Sequence, residues 1–232
     1  MKENTLTEKA GLTKEAVHQI MIDTEVHTYI GLADEHMAAI GYTEHGFRHA
    51  KVTSDMAAHI LSGLGRDENE ILLASLAGYL HDIGNMVGRA FHGQTGAFLA
   101  YEITKRFGMS DRERGIVLSA IGNHEEDYGS PLNDISAAVI IADKADVHRS
   151  RVRKFDPSAH DIHDQVNYAC VKSNINVSRE ERNITLVLSV DTTIASVMEY
   201  FEIFLSRMTA SRASSEHLGC AFHLMINNVV LS

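Results

Sequence analysis

The chain has 232 residues, 44% of them hydrophobic, which is enough for one large domain, or a domain with a smaller appended unit, around a hydrophobic core. Its 21 basic and 31 acidic residues give a net charge of -10, which argues against a nucleic-acid polymer as the partner because such polymers bind to positive surfaces. No apolar stretch suits a signal peptide or a membrane span, and Cys170 and Cys220 form no paired motif, so we expect a cytoplasmic protein without a membrane partner.

Apolar residues recur at helical spacing from Thr13 to about Arg153, with glycines at the breaks, and this pattern predicts a stack of helices. The predicted helices cover residues 13–39, 46–63, 67–82, 93–107, 110–125 and 132–150. Two of the predicted starts have capping residues: Asp67 can cap one helix, and Ser110 with Glu113 matches a capping box.

The pattern changes after Asp156-Pro157, because a proline disfavours helix at the residue before it. Two segments rich in Val, Ile and Thr then predict an antiparallel hairpin, followed by an amphipathic helix and a third strand. These elements are expected at residues 166–177, 183–190, 193–211 and 220–231. The predicted fold is therefore mainly α: a helical domain over residues 1–158 and a small α+β (ββαβ) unit over residues 159–232.

The small unit is expected to have an unpaired sheet edge. The strand predicted over residues 183–190 is apolar enough to pair with a second subunit. We therefore expect a homodimer that forms through this unit. A small binding domain for an effector is equally compatible with the sequence.

The pair His81-Asp82 is the most informative feature of the chain. It follows the apolar run of residues 71–80, and a buried carboxylate is costly unless a partner replaces its lost hydration. A metal ion between the two side chains would be such a partner. Further residues of ligand type follow in a fixed order within or near the predicted helices: His49, His92, His124 and Asp143.

The order H…HD…H…H…D resembles that of the HD superfamily of metal-dependent phosphohydrolases, over roughly residues 40–155. The resemblance implies an HD-type helical bundle that binds divalent metal ions. The implied ligands of one ion are His49, His81, Asp82 and Asp143. His92 and His124 would bind a second ion, with Asp82 bridging the two.

The donor set itself indicates which metals to expect. Imidazole and carboxylate together suit Fe, Mn, Zn, Co or Ni. Two such ions about 3.5–4 Å apart can hold a hydroxide and a phosphate oxygen at once. The expected activity is therefore that of a phosphatase or phosphodiesterase that cleaves a small phosphate ester or nucleotide through metal-bound hydroxide. Asp82 and Lys144 are the predicted catalytic residues, and Glu125 is a further candidate for assisting proton transfer.

Three basic residues are candidates for binding the substrate phosphate. Lys144 and Arg149 follow the last predicted ligand, and Arg89 lies on the connection before His92. The alternative for Lys144 and Arg149 is a solvated helix end, where the helix dipole favours positive charge. His45, predicted one turn before the first ligand, is either an additional ligand or a helix-start residue.

The remaining histidines have no partner at ligand spacing. Among them are His18, His27, His36, His59, His160, His163, His217 and His223. We expect them to lie at the surface or in the core.

Three positions differ from the relatives of this superfamily that cleave cyclic dinucleotides. Those relatives carry a lysine after H-D-x-G, a double histidine and a Gly-Tyr-Pro loop. This chain has Asn85, Asn123-His124 and the sequence Tyr-Gly-Ser-Pro over residues 128–131. The cyclic-dinucleotide signature is therefore incomplete, although the order of ligands is similar.

Two alternatives to hydrolysis follow from the same residues. Some members of the superfamily use a di-iron pair on this ligand set for oxygenase chemistry. A non-catalytic protein is the other alternative, in which a metal stabilises a sensing module and the C-terminal unit is the functional surface.

Overall fold

The computed structural model describes residues 11–126, 129–154 and 156–231, and these ranges form a helical bundle followed by a small sheet unit. The helices of the first part are α1 (Lys14–Met21), α2 (Thr24–Ala39), α3 (Phe47–Gly63), α4 (Glu68–Leu80), α5 (His92–Lys105), α6 (Asp111–Gly122) and α7 (Asp134–Ala145). The second part contains α8 (Ile162–Ala169), β1 (Cys170–Ser178), β2 (Asn183–Val190), α9 (Val197–His217), β3 (Ala221–Ile226) and β4 (Val229–Val230). Short 3-10 turns lie at Ile83–Met86, Arg149–Arg151 and Pro157–Ala159. The predicted fold class, mainly α with a small C-terminal α+β unit, is confirmed.

Capping residues explain several helix starts. The side chain of Asp67 accepts a hydrogen bond from the amide of Glu70 at the start of α4, and the Glu70 side chain accepts one in return. Ser110 and Glu113 make the same reciprocal pair at α6. Each cap satisfies backbone amides that have no partner inside the helix. Both capping predictions are confirmed.

The prediction of one helix over residues 13–39 is wrong, because α1 ends at Met21 and a second helix, α2, starts at Thr24. The Asp23 side chain accepts hydrogen bonds from the amides of Glu25 and Val26, which makes it the N-cap of α2. A short apolar run continues through the break, so hydrophobic periodicity alone does not reveal it.

The predicted helix over residues 132–150 is too long, since α7 ends at Ala145. Asp146 leaves the helical conformation with a ψ of 76°. Its carboxylate instead contacts Arg48 and His49, both in α3. Tertiary contacts therefore end this helix before the sequence pattern does.

The boundaries of the C-terminal unit also differ from the prediction. The strand expected from residue 166 starts at Cys170, because Asp161 caps the short helix α8 in front of it. The last predicted strand is divided into β3 and β4 by Asn227 and Asn228, whose φ angles are 49° and 67°. Two residues with positive φ form a tight hairpin turn, and Asn tolerates that conformation. The unit is thus αββαββ rather than ββαβ.

The four strands lie in the order β1-β2-β3-β4. The expectation that residues 183–190 form an unpaired edge is wrong, because β2 is paired with β1 on one side and with β3 on the other. The pairs β1–β2 and β3–β4 are antiparallel, whereas β2 and β3 are parallel, so α9 forms the crossover between them. Alternate residues of β2 are buried, as expected for a strand with one covered face: Ile184, Leu186, Leu188 and Val190. Helix α9 packs against both β3 and α7, which joins the sheet unit to the bundle. The division into two domains at residue 158 stays a prediction.

Two close backbone approaches position the helices that carry the ligand-type residues. A Cβ at Gly78 of α4 would lie 3.0 Å from backbone atoms of α3, so a glycine allows the two helices to pack closely. A Cβ at Gly84 would lie only 1.9 Å from the carbonyl oxygen of His92. Gly84 therefore lets the turn after His81-Asp82 lie directly against the start of α5.

Within the described ranges, no helix has both the length and the apolar character needed to cross a lipid bilayer.

Candidate metal centre

The six predicted metal ligands converge in the bundle. They lie in the first turn of α3, at the end of α4, at the start of α5, just after α6 and in α7: His49, His81 with Asp82, His92, His124 and Asp143. All four imidazoles are at most 2% exposed. Five separate segments thus bring polar side chains to one buried point, an arrangement that needs compensation for lost hydration.

The first cluster contains four donor atoms. The Nε2 atom of His49 lies 3.1 Å from Nε2 of His81, 3.5 Å from Oδ2 of Asp82 and 3.3 Å from Oδ1 of Asp143. Nε2 of His81 is 3.3 Å from the same Oδ2 of Asp82. Nitrogen and oxygen donors bind ions such as Zn²⁺ at about 2.0–2.2 Å, which separates neighbouring donors by about 3 Å or slightly more. The spacing of His49, His81 and Asp82 fits one metal ion, while Asp143, 3.8 Å from His81, also forms a group with His81 and His124.

The second cluster uses the other oxygen of Asp82. Oδ1 of Asp82 lies 3.1 Å from Nε2 of His92 and 3.8 Å from Nε2 of His124. The two histidine nitrogens are 3.0 Å apart. One carboxylate therefore faces both clusters with a different oxygen towards each, which is the geometry of a ligand that bridges two ions.

Each histidine of the two clusters is oriented by a hydrogen bond at its other ring nitrogen. Nδ1 of His49 donates to Oδ2 of Asp146 at 2.7 Å. The other three histidines donate from Nδ1 to backbone carbonyl oxygens: His81 to Gly78 at 2.7 Å, His92 to Arg89 at 3.0 Å and His124 to Ile121 at 2.7 Å. Carbonyl and carboxylate oxygens can only accept, so Nδ1 donates its proton and Nε2 faces the cluster. Nitrogens held in this way are prepared to bind a cation.

The carboxylates of the site are ionised. Burial would raise the pKa of Asp82, but the charge of His81 and hydrogen bonds from His81 and His92 hold that pKa well below its usual range. Burial would also raise the pKa of Asp143. The charge of Lys144 and a hydrogen bond from His49 outweigh burial, so the pKa of Asp143 is lowered. For His81, burial lowers the pKa, but Asp82 and Asp143 raise it to about 9. The two ionised carboxylates favour a cation at this point, and a metal ion bound by His81 would displace the proton from its Nε2.

Asp146 is a functional residue that sequence reasoning missed. It is 2% exposed, and its carboxylate accepts hydrogen bonds from Nδ1 of His49 and, at 2.8 Å, from Arg48. The guanidinium of Arg151 approaches it at 3.6 Å. A carboxylate that fixes the ring of a metal-binding histidine makes that histidine a better ligand. The signal in the sequence was a second acidic residue one helical turn after Asp143.

Glu125 lies at the edge of the second cluster. Its Oε1 is 3.2 Å from Nε2 of His92 and 3.9 Å from Nε2 of His124. The same oxygen accepts from Arg89 at 2.8 Å. The sequence offered Glu125 only as a candidate for proton transfer, whereas the geometry also makes it a potential carboxylate ligand.

Lys144 lies beside the ligands. It is 3% exposed, and its Nζ is 2.8 Å from Oδ2 of Asp143 and is also paired with Glu126. Burial lowers the pKa of Lys144, but the charges of Asp143 and Glu126 outweigh that effect and raise it. The lysine is thus a fixed positive charge, which favours an electrostatic role over proton transfer.

The two predicted arginines lie in different places. A guanidinium nitrogen of Arg89 is 3.1 Å from Nε2 of His92, which puts Arg89 at the second cluster. Arg149 stacks on the ring of Tyr168, with 5.3 Å between its guanidinium carbon and the ring centroid. Among the described residues, no predicted metal ligand contacts Arg149. The structure brings only the first of these arginines to the candidate centre.

His45 and Asn85 support the centre without joining the donor sets. His45 precedes α3 rather than lying one turn earlier in it, and its Nδ1 is bonded to the carbonyl of Thr43 at 2.7 Å. Its ring centroid is 5.3 Å from that of His49. The Nδ2 of Asn85 donates to Oδ1 of Asp82 at 2.8 Å and so restrains the bridging carboxylate. Tyr128, part of the loop compared above, lies outside the described residues.

Comparisons with known proteins agree with this geometry. Residues 42–149 match the family model of the HD domain. Over 214 residues, 82% of each chain, the protein is 27% identical to one from Methanocaldococcus jannaschii described as "Uncharacterized protein MJ1020". It is 31% identical over 112 residues to ribonuclease Y of Opitutus terrae, and 31% over 150 residues to that of Campylobacter hominis. These matches span 20% and 27% of the two ribonucleases. Residues 42–149 therefore form an HD domain, which places this part of the chain in the HD superfamily.

Proposed function

We propose that this protein hydrolyses a small phosphate ester or nucleotide with two divalent transition-metal ions. One ion would be held by His49, His81, Asp82 and Asp143, and the other by Asp82, His92 and His124. The observation that carries the proposal is the placement of the two Asp82 oxygens, at 3.3 Å from His81 on one side and 3.1 Å from His92 on the other. Fe, Mn, Zn, Co and Ni all suit such a donor set.

The residues around the two clusters have distinct tasks in the proposed reaction. When bound, the ions would lower the pKa of water and offset the charge of the phosphate. Arg89 lies beside the second cluster and can hold a phosphate oxygen by a charge-assisted hydrogen bond. Lys144 offsets the charge of Asp143, and Asp146 fixes the ring of His49. Glu125 Oε1 is placed to accept a proton or to complete the second donor set.

A second candidate substrate is an RNA phosphodiester. The name of the two relatives with 31% identity, ribonuclease Y, favours it. The net charge of -10 supports a small substrate instead, because RNA is bound mainly through its phosphates. The cytoplasmic location and the homodimer also stay predictions of the sequence.

The activity test uses protein loaded with Mn²⁺ or Fe²⁺ and a panel of phosphomonoesters, nucleotides, cyclic nucleotides and a short single-stranded RNA. We expect release of phosphate or a nucleotide, and loss of that activity in His81→Ala. The matched control is His59→Ala, because His59 is an exposed histidine of the same bundle. No turnover of any compound by fully metal-loaded protein would contradict hydrolysis.

The same samples distinguish the two other functions. Uptake of dioxygen by the iron-loaded protein, with an iron spectroscopic signature, would indicate an oxygenase. Bound metal without an exchangeable water would indicate a closed structural site, since catalytic metals keep one position open.

A further inference from the structure

A cavity of about 350 Å³ lies between the HD domain and the C-terminal unit. The HD side contributes Tyr42, His45 and Arg89, while Phe204 and Arg207 come from α9. Two carboxylates, Asp161 and Asp164, also line the cavity, and both are paired with Lys154. Arg89 and His45 connect the cavity to the metal centre, because each lies against one of the clusters. Its volume is within the range of small-molecule sites, about 300–1,000 Å³.

Arg207 brings a positive charge from α9 into this cavity. Its guanidinium carbon stacks on the ring of Phe204, 4.6 Å from the centroid, which fixes the side chain. The nearest carboxylate oxygen, Oε1 of Glu126, is 3.9 Å from its Nε, and no described residue forms a hydrogen bond with Arg207. An arginine guanidinium has five N–H donors, so those of Arg207 are available to an anion that enters the cavity.

Asn167 of α8 supplies an independent observation. It is 4% exposed and lines the same cavity. Its Nδ2 donates to the carbonyl oxygen of His163 at 2.8 Å, but its buried Oδ1 has no hydrogen-bond partner among the described residues. A buried acceptor without a partner is unfavourable, so a ligand that offers a donor would satisfy it.

We infer that this cavity is the substrate subsite of the enzyme and that it selects a small organic phosphate carrying hydroxyl or amino donors. The phosphate would lie between Arg89 and Arg207, and a donor of the organic part would reach Oδ1 of Asn167. Nucleoside monophosphates and sugar phosphates both have this chemistry. The inference rests on the proposed phosphohydrolase function, and it assigns α9 of the C-terminal unit a direct role in substrate binding.

The test compares Arg207→Gln with Arg212→Gln, which removes the same charge from an exposed position of the same helix. Binding of adenosine monophosphate and of glucose phosphate is measured by calorimetry on the protein as purified, with inorganic phosphate and adenosine as reference ligands. Phosphate release is followed in the same samples. The second variant is Arg207→Lys, which keeps the positive charge but removes the planar guanidinium group.

We expect Arg207→Gln to weaken binding of at least one organic phosphate about tenfold or more, since a charge-assisted hydrogen bond is lost. KM should rise by a similar factor with little change in kcat, and bound metal should be unchanged. Arg207→Lys should show an intermediate effect, and Arg212→Gln should bind within about twofold of the unmodified protein. Tighter binding of adenosine monophosphate than of glucose phosphate would identify a nucleoside site, and the reverse order a sugar site.

Equal binding by Arg207→Gln and Arg212→Gln would overturn the subsite, even if phosphate is released normally. Failure of both organic phosphates to bind more tightly than inorganic phosphate would also overturn it. Binding that depends on Arg207 without any phosphate release would instead contradict the hydrolase function and leave the subsite intact. The two proposals therefore fail in different ways.

Discussion

Replacement of Asp146 by asparagine tests how much the centre depends on a residue outside the donor sets. The change keeps the shape of the side chain but removes the charge that faces Arg48, His49 and Arg151. Breaking a buried ion pair by removing one partner costs about 3–5 kcal/mol. Because the asparagine oxygen still accepts one hydrogen bond, we expect the free energy of unfolding to fall by about 3 kcal/mol.

The assay is urea unfolding of metal-free protein at neutral pH, with Asp134→Asn as the matched control. Asp134 is also an acidic residue of the α7 region that pairs with an arginine, but its side chain and that of Arg66 are 26% and 36% exposed. Loss of that pair should cost about 1 kcal/mol or less. Asp146→Asn should additionally weaken metal binding by about 10–100-fold, because His49 loses its orienting partner. Equal stability and equal metal affinity of the two variants would refute the reasoning.

The pH dependence of stability gives a second measurement on the same variant. Burial would raise the pKa of Asp146, but the charge of Arg151 and the hydrogen bond from His49 outweigh it and hold the pKa well below the usual range of an aspartate. A carboxylate with a lowered folded-state pKa contributes its full stability above the unfolded-state pKa, and the contribution is lost as the pH falls below it. The unmodified protein should therefore lose stability below about pH 4 more steeply than Asp146→Asn.

Three further predictions concern the fold and its surface. Gly84→Ala should lower the free energy of unfolding in urea by about 3 kcal/mol or more, because the new Cβ would lie 1.9 Å from a backbone oxygen. The control Gly115→Ala should not destabilise the protein, because there is open space around Gly115. The Cys170 thiol is 1% exposed, and burial raises its pKa to about 12. A thiol reagent at pH 8 should therefore modify Cys170 only after the protein unfolds. Rapid reaction of Cys170 in the folded protein would contradict its burial. Light scattering at micromolar concentration should show a homodimer. It would have to pair through the edge strands β1 or β4, because β2 lies between β1 and β3. A monomer would refute the predicted dimer.

The candidate metal ligands could be predicted from the sequence because their order resembles that of the HD superfamily, and each of them lies at or near a helix end. His81 follows α4 directly, His92 begins α5 and His124 comes just after α6. The cap residue Asp67 at α4 and the capping box at α6 also indicated where those helices start. The fold class follows from the same local signals.

Features that depend on long-range packing could not be predicted. Asp146 ends α7 because its carboxylate meets α3, a contact between residues 97 positions apart. Arg207 reaches the cavity because α9 crosses back over α7, and nothing in the local sequence indicates that packing. Arg149 was expected at the phosphate because it follows Asp143, but the chain turns after Ala145 and directs it to Tyr168.

The number of metal ions bound per chain tests the central claim most directly. We predict two transition-metal ions per chain by elemental analysis of the metal-loaded protein, and one ion in His124→Ala, since only the second cluster loses a ligand. His81→Ala should lose the ion of the first cluster, while His59→Ala should keep both. A single ion in the unmodified protein, or two ions retained by His124→Ala, would contradict a centre bridged by Asp82.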